Sequence, residues 1–227
     1  MTEQLLTCVE VEPTQPASAS VIWLHGLGAD GHDFEAVIPA LKLPASLPVR
    51  FVFPNAPIQP VTVNGGWEMP AWYDILEMTL ERKIDVAGLL SSVQQINALI
   101  EREIARGIPA NKIVLAGFSQ GGAVAYHTAL CFPQPLAGLL TLSTYIATAE
   151  LIEQHRSVAN QSIPVAIHHG DADDVVPLSL GLQANELLQQ WQYKPQWQRW
   201  PVDHGLCLDE IEAIGVWLTT LLTTETI

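Results

Sequence analysis

The sequence predicts an α/β fold in which helices cover both faces of a mostly parallel central sheet. Strand-like and helix-like segments alternate along the chain, a pattern that is typical of parallel sheets. Several short apolar runs end in loops rich in glycine or proline, as buried strands do. No linker composition and no internal repeat interrupts this alternation. We therefore expect one α/β domain that spans residues 1–227.

The individual elements follow from hydrophobic periodicity and from the residues that break it. Predicted strands cover residues 5–11, 20–24, 49–53, 111–117, 136–142, 164–170 and 196–200. Predicted helices cover residues 34–41, 85–105, 120–130 and 179–191, and a closing helix reaches residue 222. Asp33 is the expected N-cap of the first helix. Residues 144–160 have the pattern of a loose helix and loop.

Residues 58–84 are the least regular part of the sequence. Pro60, Pro70 and the run Asn64-Gly65-Gly66 argue against a long element. The segment is nevertheless rich in large apolar side chains, namely Trp67, Met69, Trp72, Tyr73 and Met78. A long loop of this composition usually covers or lines a pocket, so we expect it to border a binding site.

The composition excludes several classes of partner. The chain has 10 basic and 24 acidic residues, and its formal net charge is −14. A nucleic acid or an anionic membrane surface is disfavoured, because binding to either requires clustered Lys and Arg. The N-terminal residues lack the features of a secretory signal, and no apolar run has transmembrane length. Three cysteines without a CxxC pair suit a reducing compartment, so we expect a cytoplasmic protein without stable membrane insertion.

The most informative motif is Gly117-Phe118-Ser119-Gln120-Gly121, which separates an apolar strand from a helix of small residues. It matches the Gly-x-Ser-x-Gly nucleophile elbow, in which a strained turn holds the serine hydroxyl out of the sheet. A side chain at Gly117 or Gly121 would collide with the neighbouring strand or with the helix start, and glycine tolerates unusual backbone angles. Ser119 is therefore the expected nucleophile, and the helix N-terminus beside it favours negative charge.

A serine nucleophile requires a histidine base and a carboxylate that orients the base. In this fold class the order along the chain is serine, acid, histidine, and all three follow strands at one edge of the sheet. Of the seven histidines, His204 is the one that follows the final predicted strand, which makes it the expected base. Spacing alone leaves the acid open among four aspartates: Asp171, Asp173, Asp174 and Asp203.

An acyl-transfer site also requires two backbone N–H groups that stabilise the oxyanion. Gln120 is the expected first donor, because it directly follows the nucleophile. Leu27 is the expected second donor, because it lies in the glycine-rich loop after the strand at residues 20–24.

Two competing readings of the sequence are less favourable. Gly26, Gly28 and Gly31 imitate a dinucleotide-binding fingerprint, but no acidic residue ends the next strand, as that motif requires. His168 and His169 are metal-binding residue types, yet adjacent residues of a strand point to opposite faces. We therefore expect neither a dinucleotide cofactor nor a metal site.

The chain resembles the phospholipase/carboxylesterase family of small α/β-hydrolases, the group that includes carboxylesterases and acyl-protein thioesterases. The motifs are LHGLGADG at residues 24–31, PNAP at 54–57, AWYDI at 71–75, GFSQGGA at 117–123, HGDAD at 169–173 with Val176-Pro177, and His204 with Cys207 and Glu210-Ile211. The resemblance runs nearly end to end. Asp174 departs from the proline that many relatives carry after the acid, and Gly205 departs from the serine found in some.

The resemblance implies an α/β-hydrolase fold and a catalytic triad formed by Ser119, Asp173 and His204. It implies Leu27 and Gln120 as oxyanion donors, and a reaction without cofactor or metal. It also implies that the Trp72-Tyr73 loop borders the acyl site. The residues expected to contact the substrate are Met69, Trp72, Tyr73 and Val176.

The resulting hypothesis is a serine carboxylesterase that hydrolyses short- to medium-chain acyl esters through an acyl-enzyme intermediate. The expected substrate is a small-molecule acyl ester or thioester. An acyl-protein thioesterase and a lysophospholipase are close alternatives. A non-catalytic binding protein of the same fold belongs to a different class, but such proteins usually lack a triad residue and this chain has all three. Relatives are often homodimers, and the sequence leaves the oligomeric state of this chain open.

Overall fold

A central sheet of seven strands organises the computed structural model, which describes residues 5–77 and 82–224. The strands of this sheet and of two smaller pairs, numbered together along the chain, are β1 (Cys8–Val11), β2 (Ala19–Leu24), β3 (Val49–Pro54), β4 (Ile58–Val61), β5 (Trp67–Pro70), β6 (Ile75–Glu77), β7 (Lys83–Ile84), β8 (Ile113–Phe118), β9 (Gly138–Leu142), β10 (Val165–Gly170) and β11 (Gln196–Trp200). The α-helices are α1 (Val86–Ala105), α2 (Gln120–Cys131), α3 (Ala149–His155), α4 (Leu178–Gln190) and α5 (Leu208–Thr223). Short 3-10 helices cover Glu35–Leu41, Thr62–Asn64, Ala110–Lys112 and Val158–Asn160.

The central sheet is mostly parallel, as predicted. Its strand order is β1-β3-β2-β8-β9-β10-β11, which places β8 in the middle. β1 pairs antiparallel with β3, whereas the other neighbouring strands of this sheet run parallel. The register sets Gly117 of β8 opposite Leu24 of β2 and Thr141 of β9. The carboxyl ends of these strands therefore meet at one edge, where the loops of the candidate site begin.

Helices cover both faces of this sheet, which confirms the predicted layer arrangement. On one face, buried side chains of α1, α2, α3 and α4 pack with the strands into one hydrophobic cluster. On the other face, α5 and the 3-10 helix Glu35–Leu41 pack over a second cluster. Every residue of α2 from Gln120 to Leu130 is buried, because its small side chains let it lie directly on the sheet. No helix within residues 5–77 and 82–224 combines the length and the apolar character needed to cross a bilayer.

The structure bears out one local prediction and corrects another. As expected, the described residues of segment 58–84 form no long element: they contain two short antiparallel pairs, β4 with β5 and β6 with β7, and the 3-10 helix Thr62–Asn64 connects β4 to β5. Met78 of this segment lies outside the described residues. Asp33 is not the N-cap of the following helix, because a turn at residues 30–33 leaves it one residue too early. The cap is Phe34, and the helix is a 3-10 helix without a side-chain cap.

A buried carboxylate ties α1 to β3 of the central sheet. The side chain of Glu103 on α1 is fully buried, and its oxygens accept hydrogen bonds from three arginines. Arg50 of β3 donates at 2.9 Å, Arg106 at 2.9 Å and Arg102 at 3.1 Å. Burial alone would raise the pKa of the Glu103 carboxyl, but these guanidinium groups outweigh burial and hold the pKa below its ordinary value.

We predict that Glu103→Gln lowers the free energy of unfolding by about 2 kcal/mol at pH 7, because three guanidinium groups lose their shared anion. A carboxyl with a lowered pKa in the folded state stabilises the protein above the ordinary pKa of about 4 and loses that effect as pH falls through the lowered value. The difference between variant and wild type should therefore shrink below about pH 4. Urea denaturation of variant and wild type, at pH 7 and again below about pH 4, measures the difference in the free energy of unfolding.

The matched control is Glu212→Gln, which removes an exposed pair with Lys42 and should change the free energy of unfolding by less than about 1 kcal/mol. Equal stability of Glu103→Gln and wild type at pH 7 would contradict the prediction.

Candidate active site

The turn between β8 and α2 is strained at Ser119 itself. Ser119 has φ 52° and ψ −121°, a left-handed conformation that costs free energy for any residue other than glycine. Its N–H donates to the carbonyl of Leu142 at 2.9 Å, and the Thr144 hydroxyl donates to its carbonyl at 2.6 Å. Both partners lie at or just after the end of β9, so the neighbouring strand holds the strained turn in place.

The flanking glycines provide space rather than unusual backbone angles. A Cβ atom at Gly117 would lie 2.5 Å from the carbonyl oxygen of Gly121 at the helix start. A Cβ atom at Gly121 would lie 2.5 Å from the carbonyl oxygen of His25, beyond the end of β2. The predicted collisions are confirmed. The positive φ at this turn belongs to Ser119 and to neither of the two glycines.

The structure brings Ser119, His204 and Asp173 together in one hydrogen-bonded chain. The Nε2 atom of His204 lies 2.9 Å from the Ser119 Oγ atom, and the Nδ1 atom lies 2.8 Å from the Asp173 Oδ2 atom. The other carboxylate oxygen of Asp173 accepts the N–H groups of Val175 at 3.0 Å and Val176 at 2.8 Å. The carboxylate is therefore anchored on one side by backbone and faces the imidazole on the other.

This geometry separates the four candidate aspartates. Asp171 pairs with Arg199 at 2.6 Å on the surface. Asp174 is exposed, and so is Asp203 beside the histidine. Asp173 has a fully buried side chain within hydrogen-bonding distance of His204.

The electrostatics of the site keep the Asp173 carboxyl ionised. Burial alone would raise its pKa, but the hydrogen bond from His204 and the N–H of Val176 outweigh burial. The net pKa of Asp173 lies below its ordinary value. Burial lowers the pKa of the neighbouring His169, so this imidazole is neutral and donates Nε2–H to the Val176 carbonyl at 2.8 Å.

The two proposed oxyanion donors lie beside Ser119. Leu27 and Gln120 both line the same cleft as Ser119, and neither backbone N–H has an acceptor among the residues that the structure describes. The Gln120 side chain accepts the N–H of Trp72 at 2.8 Å and donates to the carbonyl of Tyr73 at 2.7 Å. Gln120 therefore ties the start of α2 to the loop before β6.

The remaining buried histidines have other partners. His25 accepts the N–H of Ala56 at 3.1 Å, and His127 is 2.7 Å from the Thr148 hydroxyl. His168 lies beside Glu210 of α5, whereas His169 lies beside α4, so the two side chains occupy opposite faces of β10. Within the described part of the chain, no group of three or more His, Cys, Asp and Glu residues is arranged to hold a metal ion.

Ser119 opens onto a cleft of about 220 Å³. Of the four residues expected to contact substrate, Tyr73 and Val176 are among those that line it. Trp72 is buried behind it and donates its indole N–H to the His25 carbonyl at 2.8 Å. The Met69 sulfur lies 3.2 Å from the Asn64 amide nitrogen instead. The lining residues that sequence reasoning missed are Val63, Asn64, Ile75, Arg82, Tyr145 and Val175.

For one of these missed residues, the sequence contained an indication that it lies near the site. Tyr145 follows β9, the neighbour of the nucleophile strand, at the same carboxyl edge of the sheet. Arg82 had none, because its position depends on how an irregular loop folds back over the sheet.

Comparison with known proteins assigns the chain to a family. A family model described as phospholipase/carboxylesterase matches residues 7–222. The chain belongs to this family. An acyl-protein thioesterase 1 from Neurospora crassa is 38% identical over 216 residues, covering 90% of this chain and 87% of the relative. An acyl-protein thioesterase 1 from Saccharomyces cerevisiae is 40% identical over 179 residues, covering 77% of this chain and 79% of the relative.

Two solved structures from plants have the same fold as this chain. SOBER1 from Arabidopsis thaliana has a TM-score of 0.85 and 28% identity, covering 90% of this chain and 99% of the other. Acyl-protein thioesterase 2 from Zea mays has a TM-score of 0.84 and 26% identity, covering 95% of this chain and 99% of the other. The α/β-hydrolase fold is confirmed, and as a member of the phospholipase/carboxylesterase family the protein is a hydrolase of ester or thioester bonds.

We predict that Gly121→Ala destabilises this phospholipase/carboxylesterase-family protein by at least about 2 kcal/mol, because the new Cβ atom overlaps backbone and core atoms of β2 and its loop. The midpoint of urea denaturation measures the effect. Gly205→Ala is the matched control, since its Cβ atom would approach only the Asp203 carboxylate at 3.5 Å, and it should change stability by less than about 0.5 kcal/mol. Equal midpoints for the two variants would refute the assigned close contact.

Proposed function

We propose that the protein hydrolyses short- to medium-chain acyl esters through a covalent acyl-enzyme on Ser119. The observation that carries this proposal is the hydrogen-bonded chain from Ser119 Oγ to His204 at 2.9 Å and from His204 to Asp173 at 2.8 Å. This chain of groups lies at a cleft bordered by apolar and aromatic side chains. A serine, an imidazole and an anchored carboxylate in this order constitute the machinery of serine hydrolases.

Each group has a defined role in the proposed reaction. Nδ1–H of His204 donates to Asp173, which leaves Nε2 free to accept the proton of the Ser119 hydroxyl. The serine oxygen attacks the acyl carbon, and the N–H groups of Leu27 and Gln120 stabilise the resulting oxyanion. Collapse expels the alcohol or thiol, which takes the proton from His204.

Water completes the cycle in the second half of the reaction. His204 removes a proton from water, and the hydroxide attacks the acyl carbon of the acyl-enzyme. The second tetrahedral intermediate releases the carboxylic acid and returns the proton to Ser119. The proposed steps use only groups of this chain, the substrate and water.

The volume of the cleft supports the proposed chain length. A cleft of about 220 Å³ beside the Ser119 hydroxyl is small for a ligand site, which favours an acyl group of short to medium length. Val63, Ile75 and Val176 give it apolar walls for such a chain.

A second candidate function is hydrolysis of thioesters on acylated proteins. The relatives that are 38% and 40% identical carry the name acyl-protein thioesterase 1. The same serine chemistry cleaves a thioester, so substrate preference separates the two candidates. Comparing kcat/KM for 4-nitrophenyl octanoate with that for an S-octanoyl peptide decides between them, since the acyl group is held constant.

We predict that Ser119→Ala abolishes ester hydrolysis and labelling by a fluorophosphonate probe, because both require the serine oxygen. Activity-based labelling on a gel and release of 4-nitrophenol measure the two effects. Ser91→Ala, which changes an exposed serine of α1, is the control and should keep both. Undiminished turnover in Ser119→Ala would refute the proposed nucleophile.

We predict that Asp173→Asn lowers kcat by about 10⁴-fold. The backbone N–H groups of Val175 and Val176 hold the amide oxygen, so the amide NH₂ turns toward Nδ1 of His204. Nδ1 then has to accept, which leaves the proton on Nε2 facing Ser119 in the wrong tautomer. Steady-state kinetics measure the loss.

The control for this substitution is Asp171→Asn, an exposed aspartate paired with Arg199, which should lower kcat less than about twofold. Similar kcat values for Asp173→Asn and wild type would contradict the proposed orientation of the base.

A further inference from the structure

A second cavity, lined by both aliphatic and polar side chains, adjoins the cleft of Ser119. It has a volume of about 360 Å³ and is lined mainly by residues after β9 and on α4, including Ile146, Ala147, Leu180, Ala184 and Leu187. Two residues line both cavities: Arg82 and Tyr145. The two spaces are therefore neighbours, and these two side chains lie at their boundary.

Arg82 and Tyr145 contact each other at this boundary. The guanidinium carbon of Arg82 lies over the Tyr145 ring, 5.2 Å from its centroid, which is a favourable cation–π distance. The Arg82 guanidinium also donates to the carbonyl of Val175, in the loop that follows Asp173. The Tyr145 hydroxyl lies 3.1 Å from that of Tyr73. Contacts to the loop after β10 and to the loop before β6 thus anchor the pair at two walls of the cleft.

We propose that Arg82 limits the length of the acyl chain by closing the passage from the cleft of Ser119 to the second cavity. The inference rests on the proposed ester hydrolysis and names a specificity-determining residue for it. A chain that fits the cleft does not reach the second cavity. A longer acyl chain must displace a guanidinium that interacts with a carbonyl and an aromatic ring. Its methylene groups cannot replace that hydrogen bond or that cation–π contact.

The second cavity is suited to an apolar chain once the passage is open. Its side chains Ile146, Leu180 and Leu187 are aliphatic. Each methylene group that enters such a space from water gains about fourfold in binding. Removal of the Arg82 side chain should therefore favour long acyl chains selectively, while short chains keep their contacts in the cleft.

The test compares kcat/KM for 4-nitrophenyl butyrate, octanoate and laurate, each below its micelle concentration, in wild type and Arg82→Ala. We expect the ratio of laurate to butyrate to rise at least about tenfold in the variant, since several additional methylene groups become buried. Lys83→Ala is the matched control. It removes the adjacent cation, which is exposed and paired with Glu77, and should keep the wild-type ratio.

A second substitution tests where the longer chain goes. Ala147 is half-buried and lines the second cavity, so Ala147→Leu added to Arg82→Ala should reduce the gained laurate activity at least about threefold. If Arg82→Ala does not fold, Arg82→Met decides the question, because methionine keeps the packing on Tyr145 but lacks the charge and the hydrogen bonds.

The outcomes separate this inference from the proposed function. Serine-dependent hydrolysis with an unchanged laurate-to-butyrate ratio in Arg82→Ala, or in Arg82→Met where Arg82→Ala does not fold, overturns the role of Arg82 alone. A gain in laurate activity that Ala147→Leu leaves intact overturns the assignment of the second cavity. Wild-type hydrolysis that survives Ser119→Ala would instead overturn the proposed function.

Discussion

The close approach of α2 to the middle of the sheet is the constraint on which the candidate site depends. Ser119 adopts a left-handed conformation between β8 and α2, and it does so because the chain must reverse within one residue. Gly121 leaves room for the backbone beyond β2, and Gly122 leaves room for Thr144, whose side chain would lie 2.5 Å from an added Cβ atom. Thr144 and Leu142 then bind the backbone of Ser119 directly. The packing of a helix on two neighbouring strands thus stabilises the strain at one serine.

The parallel sheet brings the other groups to this serine. β8, β9, β10 and β11 are consecutive neighbours, so the loops that follow them leave the same edge. Asp173 lies after β10 and His204 after β11. Although the two residues are far apart along the chain, their side chains form a hydrogen bond of 2.8 Å. Two backbone N–H groups orient Asp173, and Phe118 packs against the His204 ring with centroids 4.7 Å apart. Backbone hydrogen bonds therefore position the carboxylate, and packing against a residue of β8 positions the imidazole.

Gln120 connects this arrangement to the substrate cleft. Its backbone N–H is the proposed oxyanion donor, while its side chain holds the backbone of Trp72 and Tyr73. Trp72 in turn binds the carbonyl of His25, next to the loop that contains Leu27. Tyr73 reaches Tyr145 and, through it, Arg82. The groups proposed to stabilise charge and those proposed to select the acyl chain are therefore parts of one packed network.

Features that a single segment encodes could be predicted from the sequence alone. Alternating apolar patterns predicted the α/β sheet, the glycines at 117 and 121 predicted the tight turn, and chain order singled out His204. Spacing alone left four aspartates open, and the family resemblance rather than the pattern named Asp173. Tertiary structure decided which aspartate meets the histidine, why Trp72 is buried while Tyr73 lines the cleft, and that Arg82 lies over Tyr145. The two sets differ because hydrophobic periodicity in a sequence indicates only which face of a helix or strand is buried. Contacts between loops depend instead on sheet register and on packing between distant segments.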